Sequence, residues 1–147
     1  MALKLNERIV VGIGHPFLSD DRAGMEVVAA LQARKVKVNT AVLHSSGLAV
    51  LETILGYDEA VIVWTCKTGL PAGTVLETTP SISENRHHIP ESLNLIFKTG
   101  NEQFPDQMPS KITIFQVEAE DLSSFSNHCT PAVNHAVNYV VDRIQKN

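Results

Sequence analysis

Val10-Val11-Gly12-Ile13-Gly14-His15-Pro16-Phe17-Leu18-Ser19-Asp20-Asp21-Arg22-Ala23-Gly24 is the stretch on which the reading of the fold turns. A β-branched run that begins at Ile9 ends in a Gly-X-Gly turn, crosses a short loop and meets a Ser-Asp-Asp helix start. Ile9 to Ile13 is short, apolar and followed by glycine, the pattern of a buried strand. Ser19 suits an N-cap, and Asp20 and Asp21 suit a first helical turn, where the helix dipole stabilises negative charge by about 0.3–1 kcal/mol. Such a strand–turn–helix unit sets both carboxylates at the carboxyl end of a strand, where open α/β sheets hold their chemistry.

Beyond this stretch, Met25, Val28, Ala29 and Leu31 continue one helical face to about Lys35. Val36 to Leu43 alternates as a second strand, Leu48 to Leu55 reads as a helix stopped by Gly56, and Ala60 to Trp64 is another buried-strand run. Lys67 to Gly73 is a loop broken by Gly69, Pro71 and Gly73, followed by a short strand from Thr74 to Thr78. Pro80 to His88 is polar and irregular, and Pro90 fits the first position of a helix to about Lys98. Thr99 to Ser110 holds Gly100, Pro105 and Pro109 and reads as a long loop; Lys111 to Glu118 alternates as a strand. Thr130-Pro131 opens a last helix with Val133, Val137, Val140, Val141 and Ile144 on one face. Strands alternating with helices predict an α/β fold: a three-layer α/β/α sandwich with a mostly parallel, mixed sheet of about five strands.

The chain has 147 residues, which predicts a single domain over 1–147 with room for a real core. It is 44% hydrophobic and 19% charged, a globular rather than a disordered composition. A net charge of −4 leaves no electrostatic footprint for nucleic acid. The apolar run Ile9 to Ile13 is too short for a signal-peptide core or a membrane span, so no membrane partner is expected. Two cysteines, Cys66 and Cys129, make no disulfide framework and fit a reducing, cytoplasmic setting. Each reads as a small buried hydrophobe rather than a redox or zinc residue.

The glycine turn does not make a nucleotide site. A dinucleotide fingerprint needs a third glycine at position 17, which is Phe17, and Pro16 disrupts a phosphate-cradling loop. Histidines are more suggestive. His15 follows the first strand, His44 follows the second, and His87 and His88 precede the Pro90 helix. A lone loop histidine is usually solvated or hydrogen-bonded. Parallel strands, however, would send three carboxyl ends to one edge and gather His15, Asp21 and His44 there, with the His87-His88 loop within reach. Imidazoles with a carboxylate suit zinc, nickel or iron, so a divalent metal is chemically reasonable.

Over nearly its whole length the chain resembles the hydrogenase maturation endopeptidases, which trim the C-terminal tail of nickel-iron hydrogenase large subunits. The segment from Gly12 to Gly24 is similar to that family's Gly-X-Gly-Asn loop and acidic helix start. Ala60 to Thr65 and Gly69 to Val75 resemble its third strand and Pro-Gly loop, His87-His88-Ile89-Pro90 its histidine loop, and Leu122 to Ile144 its last loop and helix. The resemblance implies a metal-assisted endopeptidase whose partner is a hydrogenase large-subunit precursor. Nickel supplied by that substrate would guide recognition and polarise the hydrolytic water.

Residue by residue, Asp21 matches the family's first acidic ligand, and His87 matches its histidine, with His88 the choice if the loop shifts by one. Those two are the implied catalytic and metal-contacting residues. The family's third-strand aspartate falls on Trp64, which cannot bind a metal. Its usual asparagine and second-strand aspartate fall on His15 and His44, so ligation has either moved to imidazoles or been lost. In the second case the chain is a non-catalytic relative that binds a hydrogenase subunit or another precursor without cutting it. A third reading is a small-metabolite hydrolase using His15, His44 and Asp21. On the plainest reading, Trp64 is a core residue whose indole N–H bonds a nearby carbonyl.

Overall fold

Residues 5–80 and 91–146 are described by the structure, a computed structural model. Five strands, β1 (Leu5–Ile13), β2 (Asn39–Leu43), β3 (Tyr57–Cys66), β4 (Val75–Thr78) and β5 (Lys111–Glu118), form one sheet in the order β2-β1-β3-β5-β4. All neighbours are parallel except β4, which runs antiparallel to β5 at the edge. Helices α1 (Ala23–Ala33), α2 (Leu48–Ile54), α3 (Glu91–Gln103) and α4 (Pro131–Lys146) connect and cover the strands.

Side chains alternate across the pleat, and here both faces are apolar because both are covered. Ile9, Val11 and Ile13 of β1, Ala60 and Ile62 of β3 and Ile114 of β5 pack with Leu51 of α2 and Leu93, Ile96 and Phe97 of α3. The intervening Val10, Val61, Val63, Phe115 and Val117 pack on the other face with Val27 and Leu31 of α1 and the Val133–Ile144 stripe of α4. These two cores make the α/β/α sandwich and five-stranded mixed sheet that the strand–helix alternation predicts.

Several boundaries differ from the sequence reading. Ser19 is no N-cap: it lies inside a single 3₁₀ turn, Ser19–Arg22, that precedes α1. Its N–H donates to Ser124 O (3.0 Å), and that of Asp20 donates to Asp121 O (2.9 Å), so a distant loop satisfies donors that a cap would otherwise serve. Helix α1 ends at Ala33, with Lys35 at a φ of 56°. Val36 N–H donates to Leu31 O (3.1 Å) and Lys35 N–H to Gln32 O (3.0 Å), a Schellman closure that delays β2 to Asn39.

The longest discrepancy is in α3, which continues through Gly100 to Gln103 where a loop from Thr99 was expected. A Cβ at Gly100 would run into Met108 and Leu51, so glycine serves here as the point where the helix seats on its neighbours. Burial of Ile96 and Phe97 beside it outweighs a helix-interior cost of about 1 kcal/mol. Strands β1 and β3 are also longer than their apolar centres, reaching Leu5 and Cys66.

Candidate functional site

Strand β1 leaves to β2 on one side, whereas β3 lies on its other side. The crevice at the carboxyl ends of β1 and β3 is therefore a switch point, the place where open α/β sheets bind ligands. A cleft of about 260 Å³ opens there, lined by Ile13, Gly14, Asp21, His44, Ser45, Ser46, Trp64 and Thr65. The ends of β1, β2 and β3 thus each contribute to one site.

Gly12 and Gly14 explain how Asp21 comes so close to β1. A Cβ on Gly14 would overlap the Asp21 carbonyl, and one on Gly12 would overlap that of Gly24. The Gly-X-Gly turn is a close-packing device that lets the 3₁₀ turn lie against the strand end. Arg22 secures the intervening loop, its guanidinium donating to Pro16 O and to Glu26 Oε1.

Half-buried Asp21 is oriented from two sides. Its Oδ2 accepts the His15 backbone N–H (3.1 Å), and its Oδ1 accepts the Thr65 hydroxyl (3.0 Å). A carboxylate has about four lone-pair sites, so acceptor capacity remains toward the cleft. His44 is tied down by its Nδ1–H, which donates to Gly14 O (3.0 Å) and leaves Nε2 as a lone-pair site. His15 accepts the Phe17 N–H at Nδ1 (3.2 Å), and its ring centroid is 6.3 Å from that of His44.

His15, Asp21 and His44 are thus brought together as the strand topology predicts. They are not gathered into a ligand set: among the described residues, no group of three His, Cys, Asp or Glu side chains could hold a metal ion. His87 and His88 lie outside the described residues.

Trp64 departs from its plainest reading. It packs against the α2/α3 core, but Nε1 is buried with no hydrogen-bond partner, so the expected bond to a carbonyl is absent among the described residues. Sequence reasoning overlooked Thr65, whose hydroxyl at the carboxyl end of β3 orients Asp21. Polar residues ending parallel strands are the signal that would have found it. Ser46 was overlooked as well; its Oγ lies 2.9 Å from Ser92 Oγ and ties the cleft to the start of α3.

Around the cleft, two buried carboxylates shape the loops. Asp20 accepts the N–H groups of Glu120 (2.8 Å), Asp121 (2.9 Å) and Thr130 (2.7 Å) and the Thr130 hydroxyl, fixing the β5–α4 loop to the 3₁₀ turn. Glu118 accepts the Thr68 N–H and hydroxyl, both at 2.7 Å, and the Gly69 N–H at 3.3 Å. Burial raises the Glu118 pKa, but these donors and the Cys66 thiol hold it below its ordinary value. Burial first, then the Glu118 charge and hydrogen bond, pushes the Cys66 thiol up to about 11. Burial, with the charge of Asp20 next, pushes Cys129 up to about 12. Both thiols are protonated at neutral pH, which argues against a cysteine nucleophile.

No family model matches the chain, and no curated protein matches it. Solved structures do. A hydrogenase 2 maturation peptidase from Thaumarchaeota archaeon SCGC_AB-539-E09 aligns with a TM-score of 0.70 and 18% identity over 95% of this chain and 96% of its own. The NiFe hydrogenase maturation protease HybD from Thermococcus kodakarensis aligns with a TM-score of 0.78 and 14% identity over 95% and 97%. The hydrogenase maturating endopeptidase HybD from E. coli aligns with a TM-score of 0.70 and 21% identity over 94% and 89%. At such identities the agreement is one of architecture, and it runs from end to end: this chain has the fold of the hydrogenase maturation proteases.

Proposed function

We propose that the protein is an endopeptidase that removes the C-terminal tail of a nickel-iron hydrogenase large-subunit precursor. The observation that carries this reading is Asp21: an oriented carboxylate with spare lone pairs, facing a cleft at the β1/β3 switch point of a maturation-protease fold. In that role the tail lies in the cleft, and Asp21 faces the nickel that the precursor brings. His44, with Nε2 uncommitted, is the imidazole among the described residues that line the cleft.

The described donors do not fit a resident metal. Indole has no lone pair to offer at Trp64, and Asp21, His15 and His44 do not form a group that could hold a metal ion, nor does any other set of three His, Cys, Asp or Glu among the described residues. We therefore assign the metal to the substrate and derive no step through one held by this chain. His87 and His88 remain the proposed later-loop contacts; Ser92, shortly after them in sequence, bonds Ser46 of the cleft lining. A protein partner also suits the surface nearby. Phe17 and Phe125 are 60% and 87% exposed, on segments joined by the Ser126 N–H to Phe17 O bond. Free thiols at Cys66 and Cys129 favour a reducing compartment such as the cytoplasm.

Trp64 favours one second reading, a relative that binds the precursor without cutting it, because a bulky donor-only ring stands where a metal-binding aspartate is implied. The variant Asp21→Asn separates the two, since it keeps the shape and removes the charge. On the endopeptidase reading, tail removal falls at least a hundredfold while complex formation with the precursor persists. Tail removal at the wild-type rate by Asp21→Asn would exclude Asp21 from the reaction. A wild-type protein that forms the complex and leaves the tail intact would establish the binding reading.

A further inference from the structure

His15 and His44 are each anchored to the main chain through Nδ1, and the two anchoring bonds are of opposite kind. His44 Nδ1 lies 3.0 Å from Gly14 O, and a carbonyl oxygen only accepts, so Nδ1 carries a proton. The neutral ring then has its lone pair on Nε2. At His15 the Nδ1 atom accepts, from the Phe17 N–H at 3.2 Å. A nitrogen that accepts an N–H is unprotonated, so this ring carries its proton on Nε2. The main chain therefore selects opposite tautomers: His15 ends in a donor and His44 in an acceptor.

Both residues are exposed, and neither Nε2 has a hydrogen-bond partner among the described residues. His44 lines the cleft, and His15 follows Gly14 of the same lining. Their ring centroids are 6.3 Å apart, and the Phe17 ring packs edge-on against His15 at 5.9 Å, a second restraint on that ring. The result is a donor and an acceptor side by side at the mouth of the cleft, each with its orientation set before anything binds.

Chemistry narrows what such a pair can take. A metal ion does not suit it, because His15 as held has no lone pair to turn outward. A simple anion does not suit it either, because the His44 lone pair opposes negative charge. An extended peptide does: one residue presents its N–H and its C=O to the same side, as it does to an antiparallel neighbour. A strand rises about 3.3 Å per residue, so rings 6.3 Å apart address no more than about two residues.

We propose that His15 and His44 are a specificity-determining pair that reads the main chain of an extended peptide entering the cleft. His15 Nε2–H donates to a carbonyl of the peptide, and His44 Nε2 accepts one of its N–H groups. The proposal rests on the reading above that the occupant is a protein tail, and it adds which atoms set the tail's register beside Asp21. Because only main-chain groups are read, the contact fixes position rather than sequence.

Two measurements test it. A long-range nitrogen–proton correlation NMR spectrum of the labelled wild-type protein reports the tautomer of each imidazole. His15 is expected with its proton on Nε2 and His44 with its proton on Nδ1; the same tautomer in both rings overturns the proposal and requires no variant to fold. The second measurement is binding of hydrogenase large-subunit precursor, with intact mass reporting tail removal in the same samples. His15→Phe and His44→Phe, which keep a ring and delete the polar edge, should each weaken binding about threefold to tenfold. His15→Gln and His44→Gln, whose terminal amides reach the place of Nε2, should restore most of it. Unchanged binding by both Phe variants, or Gln variants as weak as the Phe variants, overturns the pair and leaves the endopeptidase reading standing. The expected binding pattern with the tail intact upholds the pair and overturns that reading. A wild-type protein that does not bind the precursor overturns both.

Discussion

Asp20 and Asp21 are adjacent in the chain, yet one is fully buried and bound to the β5–α4 loop while the other faces the cleft. Dipole reasoning treats them alike. What separates them is the N–H of Glu120, a partner 100 residues away, which no local pattern reveals. Glu118 makes the same point, since an alternating strand gives no hint that its last carboxylate will be buried and will organise the loop at Thr68 and Gly69. Its linkage to pH follows from the sign of its shift. A carboxylate held below its ordinary pKa contributes stability above the unfolded value, near 4.5, and loses that contribution as the pH falls through the lower folded value. Glu118→Gln should therefore lower stability by about 1–3 kcal/mol at neutral pH, because an amide cannot accept from all these donors. It should also flatten the loss of stability below pH ~4.5. Denaturant unfolding of both proteins at neutral and acid pH checks both effects; equal midpoints at neutral pH would mean that the Glu118 bonds contribute nothing.

At the scale of elements, Lys35 stands at the C′ position of α1 with a φ of 56°, where glycine is the favoured residue. Lys35→Gly should raise stability by about 0.5–1 kcal/mol, since a left-handed backbone carries no Cβ penalty in glycine. Urea unfolding measures it, and a loss of stability would show that the lysine side chain holds more than its backbone strain costs. The Schellman closure was hidden because lysine does not advertise a helix stop, and so β2 was expected from Val36 rather than Asn39. Gly100 misled in the opposite direction: glycine signals a break in isolation, but here its lack of a Cβ is what lets α3 pack on Met108 and Leu51. Where local and tertiary demands agree, the boundaries were readable. Lys111–Glu118 and the helix opening at Pro131 were read at their observed positions, because alternation with burial and proline at a first helical turn point the same way as the packing.

For the whole molecule, apolar strands separated by helices were sufficient to predict a three-layer sandwich, because a parallel sheet must bury both faces. The topology in turn brought His15, Asp21 and His44 to one edge of the sheet without any linear motif. Coordination geometry was not readable in the same way: whether two imidazoles and a carboxylate converge on one point depends on hydrogen bonds such as His44 to Gly14 and His15 to Phe17. The sequence also identified Trp64 as the residue at odds with a metal site, but not that its N–H would be left unpaired. The central claim is that this site removes a precursor's tail. Its most direct test is the intact mass of a nickel-loaded hydrogenase large-subunit precursor before and after incubation with the purified protein. Loss of one C-terminal peptide is expected; an unchanged mass, beside a maturation protease that does cleave the same precursor, would rule tail removal out.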